Sequence, residues 1–362
     1  MSQQFDGWYD IYARKTVAPV EAPLLIVGAK QFFLMAEDKT PIRDLTGGGG
    51  AMPLGHAQDL VGDALFGTVK YFYQGGPHTL HGLQMEYLGW LSKHFPADYR
   101  YQFFSSETEA LYSVPDALGV EPIAVTWINR DAPRHLDQWR HFTDVLHTHQ
   151  HADKPQVAVV APIHPDTFEP LSTEALREVV SLRDAGIKIV WDETVLGMGW
   201  RRSTVFDTPH YADAVVLGGG LGGGLPLGAI GGRELCAAPS DRLAGSALAY
   251  TAGLHTLRLA MVSTAGADAP HIVDHLVDKL EELTDRYDHD FETGGEGLLR
   301  YLRFKSDRIA GEVVRAGRKN GLLMAYHGEY VRLAFSVICE LRDVDGLVGL
   351  LDGALKGVGR GT

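Results

Sequence analysis

The sequence predicts an α/β protein with one large, mostly parallel sheet domain that carries helices on both faces, followed by a smaller α+β domain. Two observations lead to this prediction. Short apolar runs of strand length alternate with segments of helical periodicity, a pattern typical of βαβ units. Near residue 247 the chain changes character, and two long helical stretches precede a final section that mixes helices with strands.

The large domain is predicted over residues 46–265. Its first strong element is an amphipathic helix, because apolar residues between Leu80 and Phe95 recur at helical spacing. The strand candidates that follow are Tyr101–Phe104, Ile123–Ile128, Gln156–Ala161, Ile187–Trp191 and Ala214–Leu217. Helical patterns fill the intervals, for instance at Glu174–Arg183, so neighbouring strands are expected to run parallel.

The smaller domain is predicted over residues 266–362, after a long helix near Ala247–Thr264. A second helix near His271–Asp285 leads to strands near Leu322–Tyr326 and Tyr330–Phe335. Residues 1–45 are expected to pack beside this domain.

Composition limits the classes of function. The chain has 362 residues, 45% of them hydrophobic and 22% charged, which is ordinary for a globular protein. The formal net charge of −13 and the lack of a basic stripe argue against nucleic acid and membrane partners. The two cysteines, Cys236 and Cys339, lie far apart, and the first residues do not resemble a signal peptide. We therefore expect a cytoplasmic protein.

Histidine is abundant, and one cluster could suggest a metal. His147, His149 and His151 crowd into HTHQH, and on a helix the first and last of these would share a face. No carboxylate or cysteine completes a ligand set, and we favour the alternative, a polar segment before a strand. We predict no metal site and leave the role of the cluster open.

Glycine is concentrated in two runs, Gly47–Gly50 and Gly218–Gly224. Glycine allows a positive φ and a close approach of the backbone to a ligand or to another backbone. A flexible linker is the alternative. For the second run we favour a place under a ligand or at a subunit contact, because strand-like residues precede it and no polar filler follows it.

Seven segments, in order, carry a family resemblance. They are DLTGGGGAMPLGHAQ (Asp44–Gln58), FFSSETEA (Phe103–Ala110), AVVAPIH (Ala158–His164), VWDETVLGMGWR (Val190–Arg201), ADAVVLGGGLGGGLPLGAI (Ala212–Ile230), YTAGLHTL (Tyr250–Leu257) and VRLAFS (Val331–Ser336). Together they resemble the class III aminotransferases, which are pyridoxal phosphate (PLP) enzymes of fold-type I. The resemblance spans nearly the whole chain and implies that fold.

The resemblance also shows which parts of PLP chemistry are retained. Transamination needs a carboxylate that keeps the cofactor's ring nitrogen protonated, and Asp192 matches that residue. It also needs a lysine amine for the covalent aldimine and the proton shuttle. The position of that lysine is Gly219, which has no side chain. For Asp192, a strand-end carboxylate satisfied by backbone amides is an equally acceptable interpretation.

Further departures lie where the family binds the phosphate and the ring. Ser106 and Thr108 match the phosphate-binding segment, but Glu107 replaces its glycine and would repel a phosphate at the helix N-terminus. Ser106 with Glu109 also forms a capping box, which is the structural alternative. Val195 replaces a glutamine near the ring oxygen. The Tyr-His-Gly segment that stacks on the ring has no counterpart, the family's EP glutamate is Ala161, and Trp200 displaces an arginine.

Two matches point to other family contacts. Thr251 matches the residue that reaches the phosphate from the neighbouring subunit in the family. Arg332 matches an arginine that binds a substrate carboxylate in many relatives, a task that suits its planar pair of donors. A surface ion pair at a strand end is the alternative for Arg332.

Three functions follow from these observations. The first is an enzyme that keeps the fold and the dimer-interface cleft but acts without lysine-based PLP chemistry on a small amino- or carboxylate-bearing metabolite. The second is a non-catalytic partner subunit of a PLP-competent paralogue. The third is a transaminase-like protein that binds PLP non-covalently. We favour the first, either as a homodimer or as a heterodimer with an aminotransferase-like subunit, and we expect no tightly bound cofactor and only weak PLP binding. The candidate acid and base residues are His56, His78, Glu107, Asp192 and His255.

Overall fold

The structure is a computed structural model, and it describes residues 24–71, 80–130, 155–195, 212–238, 245–262, 265–288, 290–356 and 358. It begins with three antiparallel strands, β1 (Ile26–Lys30), β2 (Phe33–Ala36) and β3 (Pro41–Asp44). Two helices follow, α1 (Asp59–Val69) and α2 (Gly82–His94).

A six-stranded sheet forms the centre of the molecule. Its strands are β4 (Arg100–Phe104), β5 (Val125–Ile128), β6 (Val157–Val160), β7 (Lys188–Glu193), β8 (Ala214–Leu217) and β9 (Gly228–Gly232). Their spatial order is β4-β9-β8-β7-β6-β5. Strands β5 to β8 pair in parallel, whereas β9 runs antiparallel to both of its neighbours. The predicted strands at 156–161 and 187–191 are thus confirmed as adjacent core strands.

Both faces of this sheet are buried, because alternate side chains of each strand enter different cores. Val157 and Val159 of β6 face one core, while Ala158 and Val160 face the other. Helices cover both sides: α2, α5 (Thr173–Asp184) and α6 (Ala247–Val262) pack on one face, and α3 (Glu107–Tyr112) with α4 (Val114–Leu118) on the other. The strands therefore read as continuous apolar runs in the sequence.

The C-terminal section starts with α7 (Ala265–Arg286) and ends with α9 (Leu341–Lys356). Between them lie β10 (Glu292–Glu296), β11 (Leu299–Arg303), α8 (Asp307–Lys319), β12 (Leu322–Leu323), β13 (Ala325–His327) and β14 (Tyr330–Ala334). Strands β10, β11, β14 and β13 form an antiparallel sheet. Ser306 caps α8 by accepting a hydrogen bond from the backbone N–H of Ile309.

The N-terminal strands contact this section directly. Strand β12 pairs in parallel with β3 and completes a four-stranded sheet. Phe32 and Leu45 belong to the same buried core as residues of α7, α8 and α9. Described residues before position 46 thus contact the C-terminal section, and the three predicted domains stay a prediction. Within the described residues, no helix is long and apolar enough to cross a membrane.

Candidate functional site

The carboxyl ends of β5, β7 and β8 meet at one edge of the large sheet and bring polar groups together there. Arg130 follows β5, Asp192 lies near the end of β7, and the glycine run from Gly218 follows β8. In open α/β sheets, ligands commonly bind outside the carboxyl ends of the strands. The opening residues of α3 complete the group, since Glu107 reaches Gly219.

Asp192 is buried and fully engaged by neighbouring donors. Its Oδ1 accepts hydrogen bonds from the backbone N–H of Thr194, at 3.0 Å, and from the Thr194 hydroxyl, at 2.6 Å. Its Oδ2 accepts a hydrogen bond from Nη1 of Arg130, and the two side chains form an ion pair. The sequence anticipated backbone donors to Asp192 but not this guanidinium.

Arg130 owes its direction to the residue before it. Asn129 adopts a left-handed backbone conformation, with φ 55°, which asparagine tolerates better than most residues. Its side-chain amide donates to the carbonyl of Ala161 at 2.9 Å and so ties the end of β5 to the end of β6. Arg130 follows Asn129 and reaches Asp192 across β6. Nη1 of Arg130 also donates to the Thr194 hydroxyl at 3.2 Å.

Glu107 is the first residue of α3 and lies beside this group. The residue as a whole is exposed, yet its carboxylate turns to the protein and accepts a hydrogen bond from the backbone N–H of Gly219 at 2.7 Å. Loss of hydration raises the pKa of this carboxyl, and the negative charge of Asp192 raises it further. The Gly219 hydrogen bond and the Arg130 charge act in the opposite direction but do not cancel the rise.

The backbone at Gly219 has no room for a side chain. Its φ of 52° lies in the left-handed region, and a Cβ placed there would be 2.4 Å from the carbonyl oxygen of Thr194. At Gly218 a Cβ would be 2.4 Å from the Cβ of Glu107. The two glycines therefore allow β8, β7 and α3 to approach each other closely. This packing among protein segments accounts for the glycine run without a linker.

Ser106 and Thr108 flank Glu107 at the start of α3. The Ser106 hydroxyl accepts a hydrogen bond from the backbone N–H of Glu109 at 3.1 Å and so caps the helix. The Glu109 carboxylate accepts from the backbone N–H of Ser105 at 2.6 Å, one residue before the partner that a capping box requires. Thr108 lies half-buried in the first helical turn. Helix capping therefore describes the Ser106 side chain in this structure.

His56 belongs to a separate polar cluster with Asp44. Nε2 of His56 lies 2.8 Å from Oδ2 of Asp44. Asp44 also accepts hydrogen bonds from Thr46 and from the backbone N–H of Gly48. Burial of this carboxyl disfavours its ionised form, but the hydrogen bonds outweigh burial and lower its pKa. The sequence singled out His56 but not its partner.

The remaining predicted site residues lie in other surroundings. Thr251 is buried on α6, where its hydroxyl donates to the carbonyl of Ala247 and lies 3.0 Å from the Thr68 hydroxyl of α1. His255 is half-buried on the same helix, and burial lowers its pKa. Arg332 of β14 donates to the carbonyl of Pro165 at 3.0 Å and lies 4.0 Å from Asp166. Within the described residues, no hydrogen bond or ion pair links these three residues to Glu107 or Asp192.

Two predictions fall outside the described residues, namely His78 and the cluster of His147, His149 and His151. Arg130 is the residue that sequence reasoning missed. A usable signal was present, because Asn-Arg follows a buried apolar strand directly, just as Asp192 ends the apolar run of β7. Polar residues at the carboxyl ends of parallel strands share one edge of a sheet.

Comparisons with known proteins place this geometry in context. No protein-family model matches the chain. The chain is 30% identical over 186 residues to the acetylornithine aminotransferase of Thermosynechococcus vestitus, which covers 48% of this chain and 44% of that protein. It is 34% identical over 139 residues to glutamate-1-semialdehyde 2,1-aminomutase of Francisella tularensis subsp. mediasiatica, covering 34% of this chain and 31% of that protein. The matches thus span less than half the length of these curated relatives.

Solved structures match over almost the whole chain. The ornithine aminotransferase of Toxoplasma gondii aligns with a TM-score of 0.80 over 98% of this chain and 95% of that chain, at 15% identity. Identity this low shows the fold alone. The fold is that of the fold-type I PLP-dependent aminotransferases, and the predicted fold class is confirmed.

The residues at the sheet edge do not fit PLP in the arrangement that this fold implies. Asp192, which would hold the ring nitrogen, is already paired with Arg130. Gly219 has no amine, and its surroundings exclude a side chain. Glu107 places a carboxylate beside the N-terminus of α3, where the phosphate would bind. The charges at this position and the missing amine both disagree with the cofactor.

Proposed function

We propose that this chain is a class III aminotransferase-like enzyme that has lost lysine-based PLP chemistry. In this proposal it acts without PLP on a small amino- or carboxylate-bearing metabolite, at a cleft between two subunits. The observation that carries the proposal is the group formed by Glu107, Asp192 and Arg130 at the carboxyl edge of the sheet. The likeness to aminotransferases supports the fold and the class of substrate.

The two carboxyl groups have different environments and therefore suit different roles. Asp192 is buried against Arg130 and Thr194, so its charge is compensated and its position fixed. Glu107 is accessible, and its pKa is raised by loss of hydration and by Asp192. Two neighbouring carboxyl groups in such different environments commonly divide acid–base work. We assign to Glu107 the transfer of a proton to or from a bound metabolite, and to Asp192 and Arg130 the fixed charge beside it.

The proposed cofactor independence has a direct test. The purified protein is mixed with excess PLP, dialysed, and examined for retained absorbance and for mass added to the intact chain. We expect retention well below one PLP per chain, since no amine is available at Gly219 and Glu107 repels a phosphate. One PLP retained per chain, with Asp192 required for retention, would contradict the proposal and favour a transaminase-like function.

Catalysis itself requires a second experiment. Wild type and Glu107→Gln are incubated in D₂O with pools of small amines, amino acids and carboxylic acids, and proton NMR detects products or exchange of carbon-bound hydrogen. We expect exchange or turnover without added cofactor, reduced by about 10²–10⁴ in Glu107→Gln, the range for a lost general acid or base. Wild type without any exchange across the pools would contradict the proposed enzyme.

The subunit cleft is supported by exposed apolar side chains on α1 and just after it. Leu60, Phe66 and Val69 of α1 are exposed over 60%, 67% and 55% of their surface, and Tyr71 after the helix over 84%. A group of large exposed apolar side chains on one short segment is a feature of protein–protein contacts. We propose that α1 contacts a second subunit. Helix α6 packs on α1, so Thr251 lies near this surface.

The same surface also suits the second function, a non-catalytic partner of a PLP-competent aminotransferase. Sedimentation of the purified chain separates the two. A homodimer at micromolar concentration supports the enzyme. A stable monomer that pairs with an aminotransferase subunit and shows no activity of its own supports the partner.

A further inference from the structure

The function proposed above uses the guanidinium of Arg130 only as a fixed charge beside Glu107, although this side chain is paired directly with Asp192. We propose that Arg130 is a specificity-determining residue: it takes the Asp192 carboxylate that the fold offers to a protonated ring nitrogen, and thereby excludes pyridine-type cofactors from this site. This inference rests on the proposed function, because it gives a cause for cofactor independence. In this inference, Arg130 competes with the ring nitrogen for the Asp192 carboxylate.

The hydrogen bonds of Asp192 leave little capacity for another donor. Oδ1 accepts two hydrogen bonds from Thr194, at 3.0 and 2.6 Å, and Oδ2 is bound by Arg130. Arg130 bridges the two neighbours, since the same Nη1 also donates to the Thr194 hydroxyl at 3.2 Å. A cationic ring nitrogen would therefore have to displace the guanidinium of Arg130 from Asp192. The two positive charges would also repel each other at short distance.

Charge favours Arg130 over a ring nitrogen in the competition for Asp192. A guanidinium stays protonated at every physiological pH, whereas a ring nitrogen must gain a proton to compete. Arg130 is also part of the chain, so it pays no translational cost for binding to Asp192, unlike a free cofactor. Only 12% of its side chain is exposed, so water does not weaken the pair as it would at the surface.

The local backbone holds Arg130 in place. Asn129 adopts its left-handed conformation and bonds to the carbonyl of Ala161, which fixes where the chain leaves β5. Strands β5, β6 and β7 are adjacent and parallel, so residues after β5 and near the end of β7 lie at the same edge. Arg130 is therefore positioned by the sheet and does not depend on a ligand for its orientation.

Binding measurements with three variants test this inference. Arg130→Met removes the charge at similar length, Arg130→Gln removes the charge but keeps hydrogen-bond donors, and Arg130→Lys keeps the charge. Arg233→Met is the matched control, because Arg233 also pairs with an aspartate, Asp98, but at an exposed position. Near-ultraviolet circular dichroism and melting temperature establish that each variant is folded.

The probes isolate the ring nitrogen. Pyridoxamine 5′-phosphate has no aldehyde, so it forms no imines with surface lysines, and calorimetry reports its equilibrium binding. Its carbocyclic analogue, in which carbon replaces the ring nitrogen, offers the same phosphate and shape without the group that would need Asp192. The difference between the two probes reports competition for Asp192 alone.

We expect Arg130→Met and Arg130→Gln to bind pyridoxamine 5′-phosphate about tenfold or more tightly than wild type, the change that one charge-assisted hydrogen bond produces. The carbocyclic analogue should show no such gain, and Arg130→Lys and Arg233→Met should bind like wild type. Adding Asp192→Asn to Arg130→Gln should abolish the gain. If Arg130→Met fails to fold because it leaves Asp192 uncompensated, Arg130→Gln carries the test.

Two results would overturn the inference: no gain in a folded Arg130→Gln, or an equal gain for both probes, which would mean that Arg130 only fills space. Failure of the proposed function looks different. An enzyme that turns over metabolites while Arg130→Gln shows no gain refutes this inference alone. A gain in affinity together with no turnover in wild type refutes the enzyme and leaves the inference standing.

Discussion

The Glu107 carboxylate accepts a hydrogen bond from the backbone N–H of Gly219 at 2.7 Å, and this contact joins segments 112 residues apart in the chain. The contact depends on glycine at the preceding position, since a Cβ on Gly218 would lie 2.9 Å from the same carboxylate oxygen. The Glu107 side chain and the backbone of the glycine run therefore pack closely against each other. A substitution in either one should disturb the position of the other.

Gly219→Lys should destabilise the protein and should not create a covalent PLP site. The left-handed backbone at this position costs a non-glycine residue about 1–2 kcal/mol, and the clash with the Thr194 carbonyl adds to that cost. Gly328→Lys is the matched control, because Gly328 has a similar φ of 54° and open space around it. We expect Gly219→Lys to lower the free energy of unfolding in urea by about 2 kcal/mol more than the control does. Equal stability of the two, together with covalent PLP in Gly219→Lys, would show that the backbone adapts to a lysine.

Glu107→Gln should change how stability depends on pH. The folded protein raises the pKa of Glu107 above its ordinary value of 4.5, so the folded state holds this proton more tightly than the unfolded state does. The resulting stabilisation is complete below pH 4.5 and is lost as pH rises through the raised pKa. Wild type should therefore lose stability relative to Glu107→Gln as the pH increases over that window. Urea unfolding at a series of pH values measures this, with Glu174→Gln, in the exposed first turn of α5, as the control. A difference that stays flat with pH would refute the environment assigned to Glu107.

Asp44→Asn should show the opposite dependence. Hydrogen bonds from His56, Thr46 and Gly48 lower the pKa of Asp44, so its contribution is present above its ordinary value of 3.8 and is lost as pH falls through the lowered pKa. At neutral pH the substitution should cost about 1–3 kcal/mol, the penalty for disturbing a buried, hydrogen-bonded group. Asp38→Asn is the control, because Asp38 makes a similar bond to the backbone of Thr40 in an exposed turn. Unfolding curves at neutral and acidic pH compare the two, and equal losses would contradict the importance of the Asp44 cluster.

Tyr87→Phe should destabilise the support beneath the glycine run. The buried hydroxyl of Tyr87 donates to the carbonyl of Leu221 at 2.6 Å, so its removal leaves a buried carbonyl without that donor. We expect a loss of about 1–2 kcal/mol in the free energy of unfolding. Tyr101→Phe provides the contrast, because the buried Tyr101 hydroxyl has no hydrogen-bond partner among the described residues and its removal should be neutral or stabilising. If both variants lose the same free energy of unfolding, the hydrogen bond to Leu221 does not contribute to stability.

Phe66→Asp on α1 should weaken subunit association. Phe66 is 67% exposed and lies among the exposed apolar side chains of that helix, so a charge there would be buried if the surface forms an interface. Sedimentation velocity should show a shift from dimer to monomer at micromolar concentration. Leu176→Asp on α5 is the control, because Leu176 is 38% exposed on a different helix and its replacement should leave the oligomeric state unchanged. A dimer that persists in Phe66→Asp would place the interface elsewhere.

The sequence by itself determined five of the six strands of the large sheet and its longer helices, but not the glycine-rich strand β9 or the short helices α3 and α4. Strands such as Val157–Val160 and Ala214–Leu217 are buried on both faces, so their apolar runs are continuous and easily recognised. The short strands β1 to β3 and helix α1 gave no clear pattern. Part of the surface of these elements is exposed. Strand β3 pairs on one side with β12, which is far away in the sequence.

The sequence also identified Glu107, Asp192 and Gly219 as unusual, because each stands in a segment with a recognisable motif. It did not reveal that Arg130 is the partner of Asp192, since those residues are 62 positions apart and no motif surrounds Arg130. Only the parallel pairing of β5, β6 and β7 brings the two charges to one edge of the sheet. Local sequence therefore sets which residues carry charge, whereas the register of the sheet decides which charges meet, because pairing between distant strands is fixed by the packing of the whole core.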